Sequence, residues 1–438
     1  MDTNTALSLR MTSLLLGTRS WPAATGAASG SGSAVAGGSG KTGAVGGSGQ
    51  AVAGGSGKTG AVGGSGQAVA GGPDKTGAAV SPAVAGEAVS PPMAGAAGGP
   101  DMASAAVAGI VEWFGAMQAQ DLNSVLWSLG VRLPGTTLPE VVAATERGDV
   151  VRTWPMRGTV HLIPSADAHW MLELAGVRAL TGVARRWEFL GLDEKTAHQA
   201  MDVLAAAVAA GGGRLTRSEC LAALTDGGIS VEGQRGYHLL WYVSQRGVTA
   251  IAPNRGNEQT FVLLDEWAAE RNRPSREEGL AIFANRYFRS HGPTTVKDFA
   301  GWTGLTVTDC RKGIAAAGLT AVDVDGVEMW ADPEVLDAGP ATGWWALPGF
   351  DEYMLGYKDR SMMATKEQVA KIIPGGNGVF QSTLVRDGRV MATWKRTLGK
   401  KAVTVTVQPL ADFDLDEARP ALEPFAAFVG LPLTLKSL

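Results

Sequence analysis

The sequence predicts an α+β fold, and three observations carry that prediction. Segments with apolar residues at helical spacing alternate with short β-hairpins through the middle of the chain. The C-terminal hundred or so residues are dominated by alternating, strand-like patterns. A glycine-rich stretch near the N-terminus has no apolar periodicity at all and is set apart from both. The chain has 438 residues, 45% of them hydrophobic, enough to bury a sizeable core in two to four units. Lys and Arg number 38 against 42 Asp and Glu, a formal charge of −4. That excludes a strongly basic nucleic-acid tail but leaves room for a local basic groove. Cys220 and Cys310 are far apart and form no CxxC. A disulfide scaffold and a structural zinc site are therefore not expected, and a reducing compartment is.

Residues 6–16 (ALSLRMTSLLL) are too short and too interrupted by Arg10 to read as a secretion signal, and no apolar run is long enough for a membrane span. Of the 60 glycines, 25 fall within residues 1–105. There AVAGGSGKTGAVGGSGQ occupies 34–50 and recurs unchanged at 51–67. A segment with so little to bury cannot offset its ordering entropy, so 22–104 reads as a disordered Gly/Ala/Ser insertion following an N-terminal segment, 1–21. The repeat contains GSGKT, but a phosphate loop needs a glycine where Val35 and Val52 stand, and no strand precedes it.

From Ala105 the composition becomes ordinary. Residues 105–118 place Val107, Ile110, Val111 and Phe114 on one helical face, and 137–147 predict a second helix. Residues 150–163 read as two short strands around Trp154-Pro155. A further helix carries His169, Trp170, Leu172 and Leu174. Thr216 to Glu219 form a capping box opening a helix that Gly227-Gly228 breaks. A helix over 234–247 and a hairpin turning at PNRGNEQ follow. The same grammar recurs: a helix over 276–291, a cap at Thr295, the helix TVTDCRKGIAAAG, and a hairpin turning at Asp325-Gly326. Helices followed by a two-stranded wing make winged helix-turn-helix units, predicted over 105–190, 191–270 and 271–341. The remainder, 342–438, is a β-rich domain with a hairpin at Asp387-Gly388, a strand AVTVTVQPL and a terminal helix over 415–429.

Several phrases in order resemble one family. GAMQAQDLNSVLWSLG (115–130), VRTWPMRGTVHL (151–162), QRGYHLLW (234–241), EQTFVLLDEW (258–267) and ALPGFDEYMLGYKDR (346–360) are similar to the AlkZ-like and YcaQ-like winged-helix DNA glycosylases, across essentially 105–438. Residues 6–19 resemble the short Leu/Arg-rich segment that opens the family, which makes the repeat an insertion in a surface loop; initiation at Met93 or Met102 is the alternative. The resemblance implies tandem winged helices forming a DNA channel. It implies excision of N7-alkylated purines from double-stranded DNA and, in some members, the unhooking of interstrand crosslinks. The family's Gln-Φ-Gln element corresponds to Gln118-Ala119-Gln120, which makes Gln118 and Gln120 the candidate catalytic pair.

A glutamine is not a base, so the chemistry must explain its use. An N7-alkylated guanine is already cationic and leaves as a neutral molecule, so no proton need be supplied to it. What remains is to hold a water at the sugar C1′ face, which an amide oxygen can do. Gln118 and Gln120 share a face only if their segment is extended. On a continued helix they would lie about 200° apart, so the first helix must end near Met117. Asp121 is expected to cap the next turn rather than act as a base.

Alternation places Arg157, Thr159 and His161 on one face near the glutamines, as candidate lesion-pocket and DNA contacts. Trp154 is the tryptophan expected to touch DNA; Trp127, Trp170, Trp241 and Trp302 read as core. Phosphate contacts are expected from Arg235 and Arg255 of the middle unit, and from Arg389, Lys395, Arg396, Lys400 and Lys401, a cluster on the C-terminal hairpin. Asp351-Glu352-Tyr353 reads as an anchor between the β domain and the helical units. The histidines have no metal-ligand spacing, so neither metal nor cofactor is expected. Without coiled-coil heptads the chain reads as a monomer in the bacterial cytoplasm, on the nucleoid. Two further readings compete with a monofunctional glycosylase: a winged-helix protein that binds DNA without cutting it, and a protein that shields adducts without excising them.

Overall fold

A computed structural model describes residues 1–16 and 100–438, apart from 269, 338, 340 and 377. The tandem repeat, and nearly all of the insertion assigned to 22–104, lie outside the described residues. The helix that follows begins at Pro100, ahead of the boundary drawn at 105.

One order of elements occurs three times. In the first set α2 (Pro100–Phe114) leads to β1 (Met117–Gln118), α3 (Leu122–Gly130), α4 (Leu138–Thr145) and the hairpin β2 (Val150–Met156) and β3 (Thr159–Pro164). The helices α5 (Ala168–Leu174) and α6 (Val183–Leu190) connect it to the next. The second set runs α7 (Glu194–Ala210), β4 (Arg214–Thr216), α8 (Arg217–Asp226), α9 (Arg235–Gln245), β5 (Thr249–Arg255) and β6 (Glu258–Leu263). After the one-turn helix α10 (Leu264–Trp267), the third runs α11 (Arg276–His291), a bridge from Thr294 to Trp330, α12 (Val296–Thr303), α13 (Val307–Ala316), β7 (Thr320–Val324) and β8 (Val327–Ala331). The capping boxes predicted at Thr216 and Thr295 form, with Glu219 and Asp298 reaching back to the N-cap backbone.

The hairpins of the first two sets merge into one sheet of order β1-β3-β2-β5-β6-β4. The join is an antiparallel pairing of β2 with β5 at Arg152 and Ile251. The first hairpin corrects the sequence reading. Its turn is Arg157-Gly158, both at positive φ, and Trp154-Pro155 lies inside β2, where the ladder shifts register between Thr153 and Met156. Proline offers no N–H to the ladder, so a bulge rather than a turn absorbs it.

The C-terminal part opens with α14 (Pro333–Asp337), β9 (Trp344–Leu347), α15 (Glu352–Leu355) and α16 (Lys366–Ile372). It continues through β10 (Ser382–Arg386), β11 (Arg389–Leu398), β12 (Val403–Pro409), α17 (Leu415–Phe428) and β13 (Leu433–Ser437). Its sheet has the order β13-β12-β11-β10-β9, with β13 parallel to β12. Neither β9 nor β13 was foreseen. Val403, Val405 and Val407 alternate inward, and α17 packs Phe425 and Phe428 on Trp127 of α3.

The opening helix α1 (Thr3–Ser13) is built into the same body. Arg10, 1% exposed, donates from Nε to Pro293 O and lies over the Tyr357 ring; Ser13 Oγ donates to Gly292 O. Trp127, Trp170, Trp241 and Trp302 are all buried, as the apolar spacing predicts.

Candidate active site

The site is organised by where α2 stops. Phe114 is its last residue, and Gly115 follows at φ +75°. A side chain there would be strained, and its Cβ would lie 2.9 Å from Arg286 Cδ, so glycine is required. The chain turns out of the helix into β1, which pairs antiparallel with β3: Met117 opposite Leu162, Gln118 opposite His161. Ala119 N donates to Val160 O at 2.9 Å. Met117 and Ala119 are buried on one side, which leaves Gln118 and Gln120 on the other.

The two amides meet. Gln118 Oε1 accepts from the Gln120 backbone N–H at 3.2 Å, and Gln118 Nε2 donates to Gln120 Oε1 at 3.4 Å. Gln118 is 6% exposed, whereas Gln120 is open to solvent. The pair therefore has a buried anchor and an accessible end.

Because β1 is the edge of its sheet, the Gln118 N–H points away from β3 with no strand to receive it. Glu352 receives it: Oε1 accepts from Gln118 N at 2.9 Å. The other oxygen, Oε2, accepts from Trp302 Nε1 at 3.0 Å and lies 3.3 Å from His291 Nε2. Burial works to raise the carboxyl pKa of Glu352. The hydrogen bond and charge of His291 and the Gln118 N–H outweigh it and hold the group below the usual range. Next to it, Asp351 takes a two-pronged bond from Arg132 (Nη1 to Oδ2 2.8 Å, Nη2 to Oδ1 2.9 Å) and another from Ser128 Oγ. Both carboxylates thus tie the C-terminal part to the helical sets, the anchoring role read from the sequence.

His161 is fully buried. Its Nδ1 donates to Thr159 O at 2.9 Å, which leaves Nε2 as the acceptor facing Arg157 Nη2 at 3.4 Å. Burial, and then Arg157, push its pKa from 6.5 down to about 4, so the ring is neutral. Opposite it on β2 is Thr153. The buried hydroxyls of Thr153 and Thr159 have no hydrogen-bond partner among the described residues. Gln118, His161 and Thr153 form one polar row across three strands, and Arg157 sits at its end. Arg157 reaches the row from the turn, not as the next residue of a regular strand. Beside it a cavity of about 580 Å³ is lined by Arg157, Arg178, Thr181, Thr303 and Gly304.

The neutral His161 sets a pH dependence. Between about pH 6.5 and 4 the unfolded chain binds a proton at this position that the folded chain does not, so acid favours unfolding. Urea unfolding should show wild type losing about 2 kcal/mol more than His161→Gln between pH 7 and pH 5. Equal losses would mean that His161 is not buried in its neutral form.

Other predicted residues fall in different places. Asp121 Oδ1 accepts from Ser124 N at 2.6 Å and caps α3, as expected. Trp154 is 3% exposed and packs in the core rather than presenting its ring to solvent, beside the register shift in β2. Arg235 donates from Nη1 to Leu190 O and Gly191 O, both at 2.7 Å, and so closes the C-terminus of α6. Arg255 is exposed on the β5–β6 turn. The expected C-terminal cluster is divided by the length of β11, ten residues or roughly 30 Å. Arg389 is at one end, bonded to Asn4 Oδ1 at 2.9 Å; Lys400 and Lys401 are exposed beyond the other. Lys395 is exposed on β11, and Arg396, lying over Phe425, comes within 3.9 Å of Asp121. That contact brings this end of β11 beside the glutamine segment. The contribution of Glu352 to the glutamine backbone, and the presence of Thr153 and Arg178, escaped the sequence reading. Extending the alternation from His161 across the hairpin would have found Thr153; nothing local points to the others.

The chain is similar to known proteins in sequence and in fold. The chain is 30% identical over 266 residues to an interstrand DNA cross-link repair glycosylase of Streptomyces sahachiroi, covering 56% of this chain and 70% of that protein. The fold is similar to the solved structure of the Streptomyces sahachiroi DNA glycosylase AlkZ, with a TM-score of 0.63 at 24% identity over 76% of this chain and 94% of that one. The family model described as DNA glycosylase AlkZ-like matches residues 111–428, which contain the glutamine pair, the polar row and both anchoring carboxylates: the chain belongs to the AlkZ-like DNA glycosylase family.

Proposed function

We propose that this chain is a monofunctional DNA-repair glycosylase that excises N7-alkylguanine and unhooks interstrand crosslinks, using a water positioned by Gln118 and Gln120. The observation that carries the reading is the extended Gln118-Ala119-Gln120 segment with its two side-chain amides joined on one face. The similarity to a cross-link repair glycosylase supports the crosslink as substrate class.

The mechanism follows from what the site offers. Alkylation at N7 makes guanine a good leaving group, and the sugar takes on positive charge as the bond stretches. Gln120, the exposed member, presents an amide to the reacting face. Gln118, held through its backbone by Glu352, keeps Gln120 in place. A water that donates a hydrogen bond to an amide oxygen of this pair is oriented toward C1′ and loses its proton to solvent only after attack is well advanced. His161 is neutral and its ring nitrogens are engaged, while Asp121 caps α3. The chemistry is positioning, and normal bases, which need protonation to leave, are spared.

The thrice-repeated order of helices and terminal hairpin supports three winged helix-turn-helix units, with DNA as the partner. Arg157 and Arg178 would take phosphate oxygens beside the polar row, with Arg255, Lys400 and Lys401 reaching the backbone farther out. No helix among the described residues is long and apolar enough to cross a membrane.

Single-turnover excision on a duplex carrying one N7-methylguanine tests the reading. Gln118→Ala and Gln120→Ala should each lower the rate by about a hundredfold or more while DNA affinity is kept. Absence of excision in wild type, with salt-sensitive binding intact in all three proteins, would favour a winged-helix protein that binds DNA without cutting it.

A further inference from the structure

On the opposite face of β2 and β3 from the polar row lies a second, smaller cavity of about 220 Å³. Its walls are largely apolar, with Leu126, Val142, Leu162 and Ile251 among them, and Arg152, Asn254, Asn123 and Thr145 supply polarity. Arg152 is 5% exposed. Among the described residues its hydrogen-bond partners are Ala252 O at 3.2 Å and Asn254 Oδ1 at 2.9 Å, both through Nη2. A guanidinium carries five N–H donors in a planar fork, and a buried one is ordinarily paired with an acid. Burial pushes its pKa down, to about 10, with no carboxylate among the described residues to offset it. An unpaired buried cation therefore lines an apolar cavity.

We propose that this cavity binds a small aromatic carboxylate, its ring among Leu126, Val142, Leu162 and Ile251 and its carboxylate on Arg152. Size and chemistry select that class. An apolar cavity of about 150 Å³ is enough for a benzene ring, so this one takes a ring and one substituent. A planar carboxylate matches the guanidinium fork. Inorganic phosphate, doubly charged and without an apolar part, would leave most of the lining uncovered. Occupancy does not depend on whether Gln118 and Gln120 hydrolyse a glycosidic bond.

Isothermal titration of the full chain with sodium benzoate, toluene and inorganic phosphate tests this. Benzoate should bind wild type saturably and outcompete the other two. Arg152→Met should weaken benzoate about tenfold or more, the loss of a charge-assisted pair, while toluene affinity is kept. Val142 is 37% exposed, so Val142→Trp should block the cavity for both without disturbing the fold, which covers the case in which Arg152→Met does not fold. Three results overturn the proposal: no saturable benzoate binding, equal affinity in Arg152→Met or in Val142→Trp, or preference for toluene or phosphate over benzoate.

Discussion

Glu352→Gln should slow excision by about a hundredfold while leaving DNA affinity nearly unchanged. The carboxylate receives Gln118 N–H on one oxygen and Trp302 Nε1 on the other, with His291 Nε2 beside it. An amide of the same shape has one acceptor oxygen and one NH₂. Whichever way it turns, a donor faces a donor. If the NH₂ faces β1, the edge strand that presents Gln118 shifts, and a displacement of the order of 1 Å is enough to cost about a hundredfold in a positioned reaction. If it faces Trp302, the buried indole loses its acceptor at roughly 1–3 kcal/mol. Single-turnover rates and equilibrium binding, measured on the same duplex, separate the two consequences. A merely structural carboxylate would lower stability but leave the rate per folded molecule intact. Wild-type rates in both Glu352→Gln and Glu352→Ala would remove Glu352 from the positioning of the glutamines.

The second large effect is on stability. Arg132→Ala should destabilise the protein by about 3–5 kcal/mol, because it strands Asp351 in the core with no counter-charge. Arg132 also donates from Nε to Leu14 O at 2.8 Å and lies over the Phe114 ring, so the seating of the opening helix loosens with it. Burial works to raise the Asp351 pKa, but the charge and hydrogen bonds of Arg132, with Ser128, hold it low. Removing Arg132 reverses that balance. The double variant Arg132→Met/Asp351→Leu should recover much of the loss, since an apolar pair of similar volume leaves no charge behind. Urea unfolding of the single and double variants measures both, and additive losses would show that the two groups are not coupled.

The helices and hairpins were legible because their signals are local. Thr216 and Thr295 cap with an acid three residues on, and Asp325-Gly326 and Asp387-Gly388 turn hairpins with the residues that tolerate positive φ. The glutamine pair was legible through its family phrase and through the requirement that the helix stop before it, which Gly115 meets. The burial of Trp154 was not, because solvent exposure is decided by tertiary packing, and neither was the bonding of Arg235 to two helix-end carbonyls. The basic cluster misled for a related reason. Charges close in sequence separate by the full length of a strand once β11 extends between them. The burial of Arg152 without an acid leaves no trace in the sequence, since what marks it is the carboxylate it lacks among the described residues.

The bond from Glu352 to the Gln118 backbone spans 234 residues, and that from Asp351 to Ser128 spans 223. Contacts of such separation close late, after local helices and hairpins have formed. During synthesis the glutamine segment leaves the ribosome long before its carboxylate partner exists. The emerging chain therefore forms its helices before the carboxylate that receives the Gln118 N–H has been made, and that contact closes only with the last third of the polypeptide. A chain arrested short of residue 351 would lack both carboxylates that tie the C-terminal part to the helical sets.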